Sequence, residues 1–118
     1  MKPSVLVVNA VQEESDRVAD LLRAAGYMPH HIHRLEDAAA AITAGECAAV
    51  LLDLDSIKVS NRAVRQISRR FPRVCFLCTS RQPMHPELKD AISHHIYACI
   101  QTPIDREELE YWLKSSRR

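Results

Sequence analysis

Ala48-Ala49-Val50-Leu51-Leu52-Asp53 is the stretch that decides the fold. Five apolar residues in a row, bounded by polar ones, read as a short strand buried on both faces, which is the pattern of a parallel sheet sandwiched between helices. A carboxylate closing such a strand stands at its carboxyl end, where open α/β sheets bind ligands and carry out their chemistry. Asp53 is therefore the first candidate functional residue.

Working toward the N-terminus, Ser4-Val5-Leu6-Val7-Val8 is a second buried strand, and it ends in Asn9-Ala10. Gln12 to Ala25 carries Val18, Leu21, Leu22 and Ala25 at helical spacing, and Gly26 ends that helix as a C-terminal cap. Met28 to His33 reads as a more polar strand, and Glu36 to Ala44 as an Ala-rich helix stopped by Gly45.

Toward the C-terminus, Ser60 to Phe71 places Ala63, Val64, Ile67 and Phe71 inward on a helix that Pro72 terminates. Val74 to Cys78 is a fourth strand leading to Thr79-Ser80. After a loop through Pro83, Pro86 suits the first turn of a helix running to about His94. Ile96 to Ile100 is the fifth strand. Pro103 breaks it, and Asp105 caps a last helix with Leu109, Trp112 and Leu113 on one side. Strict alternation of five strands and five helices predicts an α/β fold, a (βα)5 doubly wound three-layer sandwich on a parallel five-stranded sheet.

A chain of 118 residues is one domain, residues 1–118 here, with room for a real core. Its 47% hydrophobic and 26% charged residues are a globular balance, which excludes a disordered chain. A formal net charge of +1 gives no global pull toward nucleic acid or membrane. No segment has the length and apolarity of a membrane span, nor does the N-terminus show a secretory pattern, so the expected location is cytoplasmic. Cys47, Cys75, Cys78 and Cys99 all fall in or beside predicted strands and are expected to be free, acting as small apolar residues. Cys75 and Cys78 form a C-x-x-C spacing, but on a strand residues three apart face opposite sides, so these two thiols should diverge.

The ordered segments resemble a response-regulator receiver domain, the flavodoxin-like module of two-component signalling. The resemblance is carried by Val5-Leu6-Val7-Val8, Leu21-Leu22 with Ala25-Gly26-Tyr27, Val50-Leu51-Leu52-Asp53, Phe76-Leu77-Cys78-Thr79 and Thr102-Pro103-Ile104-Asp105. It implies strand order 2-1-3-4-5 and a phosphoprotein that accepts a phosphoryl group from a histidine kinase on Asp53. It further implies that the Thr79 hydroxyl contacts that group and that the Asp55 main-chain carbonyl holds Mg²⁺. Pro103 matches a proline that is often cis in the family.

The departures are as informative. The family's two acids after the first strand fall on Asn9-Ala10, its fifth-strand lysine on Thr102, and its aromatic switch residue on Cys99, with Tyr97 two residues away on the same strand face. Mg²⁺ wants a near-octahedral oxygen shell, usually anchored by one or two carboxylates. Asp53, Asp55 and Asn9 would make at most a weak site, because Asn9 is uncharged and Ala10 has no side-chain oxygen. Thr102 can touch a phosphoryl oxygen but brings no positive charge. Phosphoryl transfer rests on positioning and charge neutralisation, so these losses predict a slow site. The expected protein is a pseudo-receiver, not an enzyme beyond self-phosphorylation at Asp53. It would act through protein contacts, with a conventional Mg²⁺-dependent phosphoreceiver as the alternative.

The resemblance places those contacts, a homodimer included, on the fourth helix, fifth strand and fifth helix, where Tyr97, Cys99 and Tyr111 lie. It also suggests that the chain is the N-terminal part of a longer regulator, Ser115-Ser116-Arg117-Arg118 opening a linker, with nucleic acid bound only by an output domain elsewhere. A third reading, a thiol or metal protein, would use Cys75/Cys78 or His31/His33, which share a strand face; a polar sheet edge explains the histidines better. Lys58, Arg62, Arg65, Arg69, Arg70 and Arg73 make the third helix region basic, and Arg62, Arg65 and Arg69 form one ridge, read as a solvated face. His94-His95 precedes the fifth strand, where receivers usually have small residues.

Overall fold

In a computed structural model describing residues 2–116, the alternation becomes β1 (Ser4–Val8), α1 (Gln12–Ala24), β2 (Met28–Ile32), α2 (Ala38–Ala44), β3 (Cys47–Asp53), α3 (Asn61–Arg70), β4 (Cys75–Ser80), α4 (Lys89–His94), β5 (Ala98–Gln101) and α5 (Arg106–Ser115). Arg117 and Arg118 of the expected linker lie outside the described residues. All strand pairs are parallel, in the order β2-β1-β3-β4-β5. This is the doubly wound, flavodoxin-like sandwich expected from the sequence. Among the described residues no helix is long and apolar enough to cross a membrane.

Strand alternation divides the core between the two faces of the sheet. Val5, Val7, Leu51, Leu77 and Ile100 pack under α1 and α5 against Val18, Leu22, Leu109 and Leu113. Leu6, Val8, Val50, Leu52, Phe76 and Cys78 pack on the other side against Ile42 of α2, Val64 and Ile67 of α3, and Ala91 of α4. Each such aliphatic side chain, fully buried, stabilises the fold by about 1.5–3 kcal/mol. The apolar runs of β1 and β3 have to be continuous because both of their faces are covered.

Helix ends follow local chemistry. Gly26 holds φ at +89° after α1, so that its N–H reaches the Arg23 carbonyl (3.0 Å) and the Tyr27 N–H reaches that of Leu22 (2.9 Å). The Ser60 hydroxyl accepts from the Ala63 N–H at 3.1 Å, and the Asp105 carboxylate accepts from the Glu108 N–H at 3.0 Å, capping α3 and α5. The Thr102-Pro103 peptide is cis.

Boundaries shift where hydrogen bonds compete. Leu35–Asp37 and Pro86–Leu88 form tight 3₁₀ turns ahead of α2 and α4, which shortens both helices relative to their sequence patterns. Val74 bonds back to the Phe71 carbonyl (3.1 Å), so β4 starts one residue later than expected and extends through Ser80, which pairs with Gln101. The His95 and Ile96 N–H groups both reach back to the Ala91 carbonyl (2.8 and 3.0 Å), delaying β5 to Ala98. One expectation is overturned: Cys78 and Cys99 are joined by a disulfide, and only Cys47 and Cys75 are free. The two residues are register partners on β4 and β5, a long-range pairing that chain spacing does not show.

Candidate functional site

β3 and β4 end side by side, with Asp53 opposite Thr79 in the register. Both residues are buried, and the Thr79 hydroxyl donates a 2.9 Å hydrogen bond to Asp53 Oδ1. The Asp53 main-chain carbonyl accepts from the Ile57 N–H (3.2 Å), folding the β3–α3 loop back toward the strand end. A cleft of about 390 Å³ opens at this edge, lined among others by Asn9, Asp53, Asp55, Arg81, Thr102 and Pro103. Its place at the carboxyl ends of the strands, between β1 and β3, is the topological switch point of the sheet.

Asn9 is almost fully buried, yet its amide is turned to local structure. Its Oδ1 accepts from the Val11 N–H (2.9 Å) and from the Ser56 hydroxyl (3.1 Å), whose oxygen accepts in turn from the Ala10 N–H (3.0 Å). Asn9 and Ser56 thus staple the β1–α1 loop to the β3–α3 loop. The polar atom left to Asn9 is its NH₂ group, a donor that repels cations.

Asp55 is committed elsewhere. Its Oδ1 accepts from the Ser80 hydroxyl (2.9 Å) and its Oδ2 from the Arg81 N–H (2.8 Å), with the Arg81 Nε 3.6 Å away. The same Ser80 oxygen accepts from the Gln82 N–H (3.0 Å) and sits 2.7 Å from His85 Nε2, so the start of the β4–α4 loop is organised around Ser80 and Asp55.

These contacts bear on the metal question. A hydrated Mg²⁺ needs clustered oxygen ligands. Asn9 Oδ1 and the Asp55 carboxylate are both held by donors, and Ala10 has no side-chain oxygen. Among the described residues no group of three His, Cys, Asp or Glu side chains is placed to hold a metal ion. Asp53 is the one carboxylate of the three expected ligands not turned to loop structure, so the side chains present fit Mg²⁺ poorly. Positive charge at the cleft comes instead from Arg17, paired with Glu14 at 2.6 Å, and from Arg81. Neither arginine is marked by a motif; the one signal for Arg81 is that it directly follows Thr79-Ser80 at the end of a central strand. Thr102 lines the cleft, and its N–H bonds to the Ser80 carbonyl (2.9 Å).

The other candidates are spread around the molecule. His31 and His33 do come together, ring centroids 4.3 Å apart, but His31 Nε2 lies 2.7 Å from the Ser15 hydroxyl and 3.0 Å from the Asn9 carbonyl, while His33 Nε2 lies 3.2 Å from Gln12 Oε1. Cys75 packs against the α1/α5 cluster and Cys78 lies inside the opposite one, so the C-x-x-C side chains do diverge. Just before β5 and on α5, the Trp112 ring stands edge-on to Tyr97 (5.8 Å) and Tyr111 (5.0 Å). Tyr97 is 50% and Tyr111 60% exposed, and Cys99 is exposed beside them. Arg62 and Arg69 on α3 are exposed, and no carboxylate among the described residues lies within ion-pair distance of Arg62, Arg65 or Arg69. His95 caps α4, and His94 Nδ1 lies 3.3 Å from Asp90 Oδ1.

The family model of the VpsR domain matches residues 1–114. No curated protein matches the chain in sequence. In structure it is similar to the signal receiver domain of an HD domain-containing protein from Pseudomonas fluorescens Pf-5, with a TM-score of 0.85 and 19% identity over 99% of this chain and 95% of that one. It is likewise similar to a CheY-like response regulator receiver domain from Methylobacillus flagellatus (TM-score 0.81, 23% identity, 98% and 99% covered). A third similar structure is the chemotaxis protein CheY4 of Vibrio cholerae (TM-score 0.83, 15% identity, 98% and 99% covered). The fold is that of response-regulator receiver domains.

Proposed function

The chain belongs to the VpsR domain family, and from that premise we propose that it is a receiver-type signalling module of a response regulator whose Asp53 pocket has given up Mg²⁺-dependent phosphoryl transfer. One observation carries the reading: the two side chains left to replace the missing acids, Asn9 and Asp55, are both held by protein donors and turned to loop architecture. With no metal to bridge Asp53 and an incoming phosphoryl group, and no lysine at Thr102, the negative charge of the transition state goes largely uncompensated. Arg81 is 82% exposed and engaged with Asp55, and a charge so placed is well screened.

Signalling would then run through protein contacts on α4, β5 and α5, where Tyr97, Tyr111 and Trp112 offer rigid aromatic area suited to a partner such as a second copy of the chain. The pairing of Thr79 with Asp53 favours the second reading, a conventional phosphoreceiver served by a histidine kinase, because it keeps the acceptor and the contacting hydroxyl together.

Incubation with Mg²⁺ and a small phosphodonor, followed by intact-mass measurement, separates the two. The pseudo-receiver shows no stoichiometric adduct. A full phosphoryl adduct on the native chain that disappears in Asp53→Ala overturns the proposal.

A further inference from the structure

We propose that Cys78 and Cys99 form a reversible thiol–disulfide site that sets how firmly β5, and the aromatic face it carries, is held to the sheet. The bond joins register partners whose Cα atoms are 4.7 Å apart. β5 is the edge strand, four residues long, and its ladder to β4 runs only from Ala98 to Gln101. A covalent tie in so short a ladder adds to what holds that strand, beside the burial of Ile100 and the flanking bonds from the Tyr97 N–H to the Phe76 carbonyl (2.7 Å) and from the Thr102 N–H to the Ser80 carbonyl (2.9 Å).

The two sulfurs differ in access. Cys78 is fully buried among Phe76, Leu52 and Ala91, whereas Cys99 is exposed on the outer strand. A small thiolate can reach the Cys99 sulfur and displace Cys78, which leaves as a thiolate and takes up a proton. A second external thiolate then attacks the external sulfur of the mixed disulfide. This frees Cys99 as a thiol and releases the external disulfide. Two external thiols are oxidised to one disulfide, and the protein gains two electrons and two protons. Oxidation by a small disulfide of the glutathione type runs the same steps backwards.

A purely structural bond explains less. Disulfides are needed chiefly where a small domain cannot build a core, and this chain fills both faces of its sheet with apolar side chains. The remaining cysteines do not compete for the exchange. Cys47 is half-buried and donates to the Ala49 carbonyl, and burial raises the thiol pKa of both Cys47 and Cys75, which disfavours the reactive thiolate. The bridge also lies where it can matter. Cys78 precedes Thr79, which bonds Asp53, and Cys99 is two residues from Tyr97, whose ring meets Trp112. The proposal depends on the functional reading above only for the face on which the change is felt, and its test needs no binding partner.

The native chain is equilibrated in glutathione buffers of stepped ratio, quenched, alkylated and weighed intact. The expected result is a reversible passage from four alkylated thiols to two, with Cys78–Cys99 as the mapped pair and β5 amides exchanging at least about 10-fold more slowly in the oxidised form. Cys99→Ser should abolish the passage, while a Cys47→Ser, Cys75→Ser double variant should retain it. Four free thiols at every ratio, a bond reducible only in denaturant, a passage surviving Cys99→Ser, or equal β5 exchange in both states each overturns the proposal.

Discussion

The Thr79 hydroxyl donates a 2.9 Å hydrogen bond to Asp53 Oδ1 across the ends of β4 and β3, and both residues are buried. A carboxylate in that position depends on its donors, because leaving a buried acceptor unpaired costs about 1–3 kcal/mol. Thr79→Val keeps the shape and removes the donor. It should lower the unfolding free energy in urea by that amount, while Thr79→Ser should lose well under half as much. A larger loss in Thr79→Ser than in Thr79→Val would show that the methyl packing, rather than the hydroxyl, is the main contribution of Thr79.

Asn9 Oδ1 serves as an acceptor for Val11 and Ser56, a role an aspartate could also fill. Asn9→Asp combined with Ala10→Asp therefore keeps the loop staple and rebuilds three clustered acids with Asp53. Their mutual repulsion should make the metal-free variant less stable than the parent. Millimolar Mg²⁺ should then raise the variant's melting temperature and leave the parent's unchanged at matched ionic strength, since a ligand stabilises only the state that binds it. A parent that responds to Mg²⁺ as strongly as the variant would contradict the fit described above.

Asp55 and Arg81 face each other, but their contributions should be very unequal. The Arg81 side chain is 82% exposed and 3.6 Å from the carboxylate, the kind of pair worth about 0–1 kcal/mol, so Arg81→Ala should leave stability nearly unchanged. Asp55→Ala removes the acceptor of the Ser80 hydroxyl and of the Arg81 N–H, and should cost about 1–3 kcal/mol. Urea titrations of the two single variants give the ranking directly.

How far the sequence could have led is clear from particular residues. Val50-Leu51-Leu52-Asp53 was readable because a strand buried on both faces leaves an unbroken apolar run, and Gly26 because a positive φ demands glycine there. The roles of Asn9 and Asp55 were not readable, since their partners Ser56, Ser80 and Arg81 stand in loops brought together only by strand register. The disulfide was hidden for the same reason. Cys78 and Cys99 are 21 positions apart, and only the pairing of β4 with β5 makes them neighbours, whereas the one local spacing, C-x-x-C, joins thiols that face opposite sides of the sheet.

Tyr97 and Tyr111 are half or more exposed, so truncating them removes little from the core. Tyr97→Ala and Tyr111→Ala should each change stability by less than about 0.5–1 kcal/mol, yet weaken self-association about 10-fold or more if two copies meet through this face. Sedimentation over a range of concentrations reads the second effect. Unchanged association in both variants would move the contact to another surface.

Burial pushes the thiols of Cys47 and Cys75 above the ordinary thiol range, and the Cys78–Cys99 pair does not titrate while bonded. The direction fixes the pH dependence. A group whose pKa is higher folded than unfolded holds its proton more tightly in the native state, so its contribution is complete below the unfolded value and is lost as pH rises toward the folded one. Stability should therefore be insensitive to these two thiols at neutral pH and decline above pH 9 as the unfolded chain ionises first. Lysines and tyrosines titrate in the same window, so the clean measurement is a difference. The parent's unfolding free energy minus that of a Cys47→Ala, Cys75→Ala variant should be flat near pH 7 and fall from pH 9 upward. A difference that instead grows with pH would mean that the folded chain prefers the thiolates and that burial does not govern these sites.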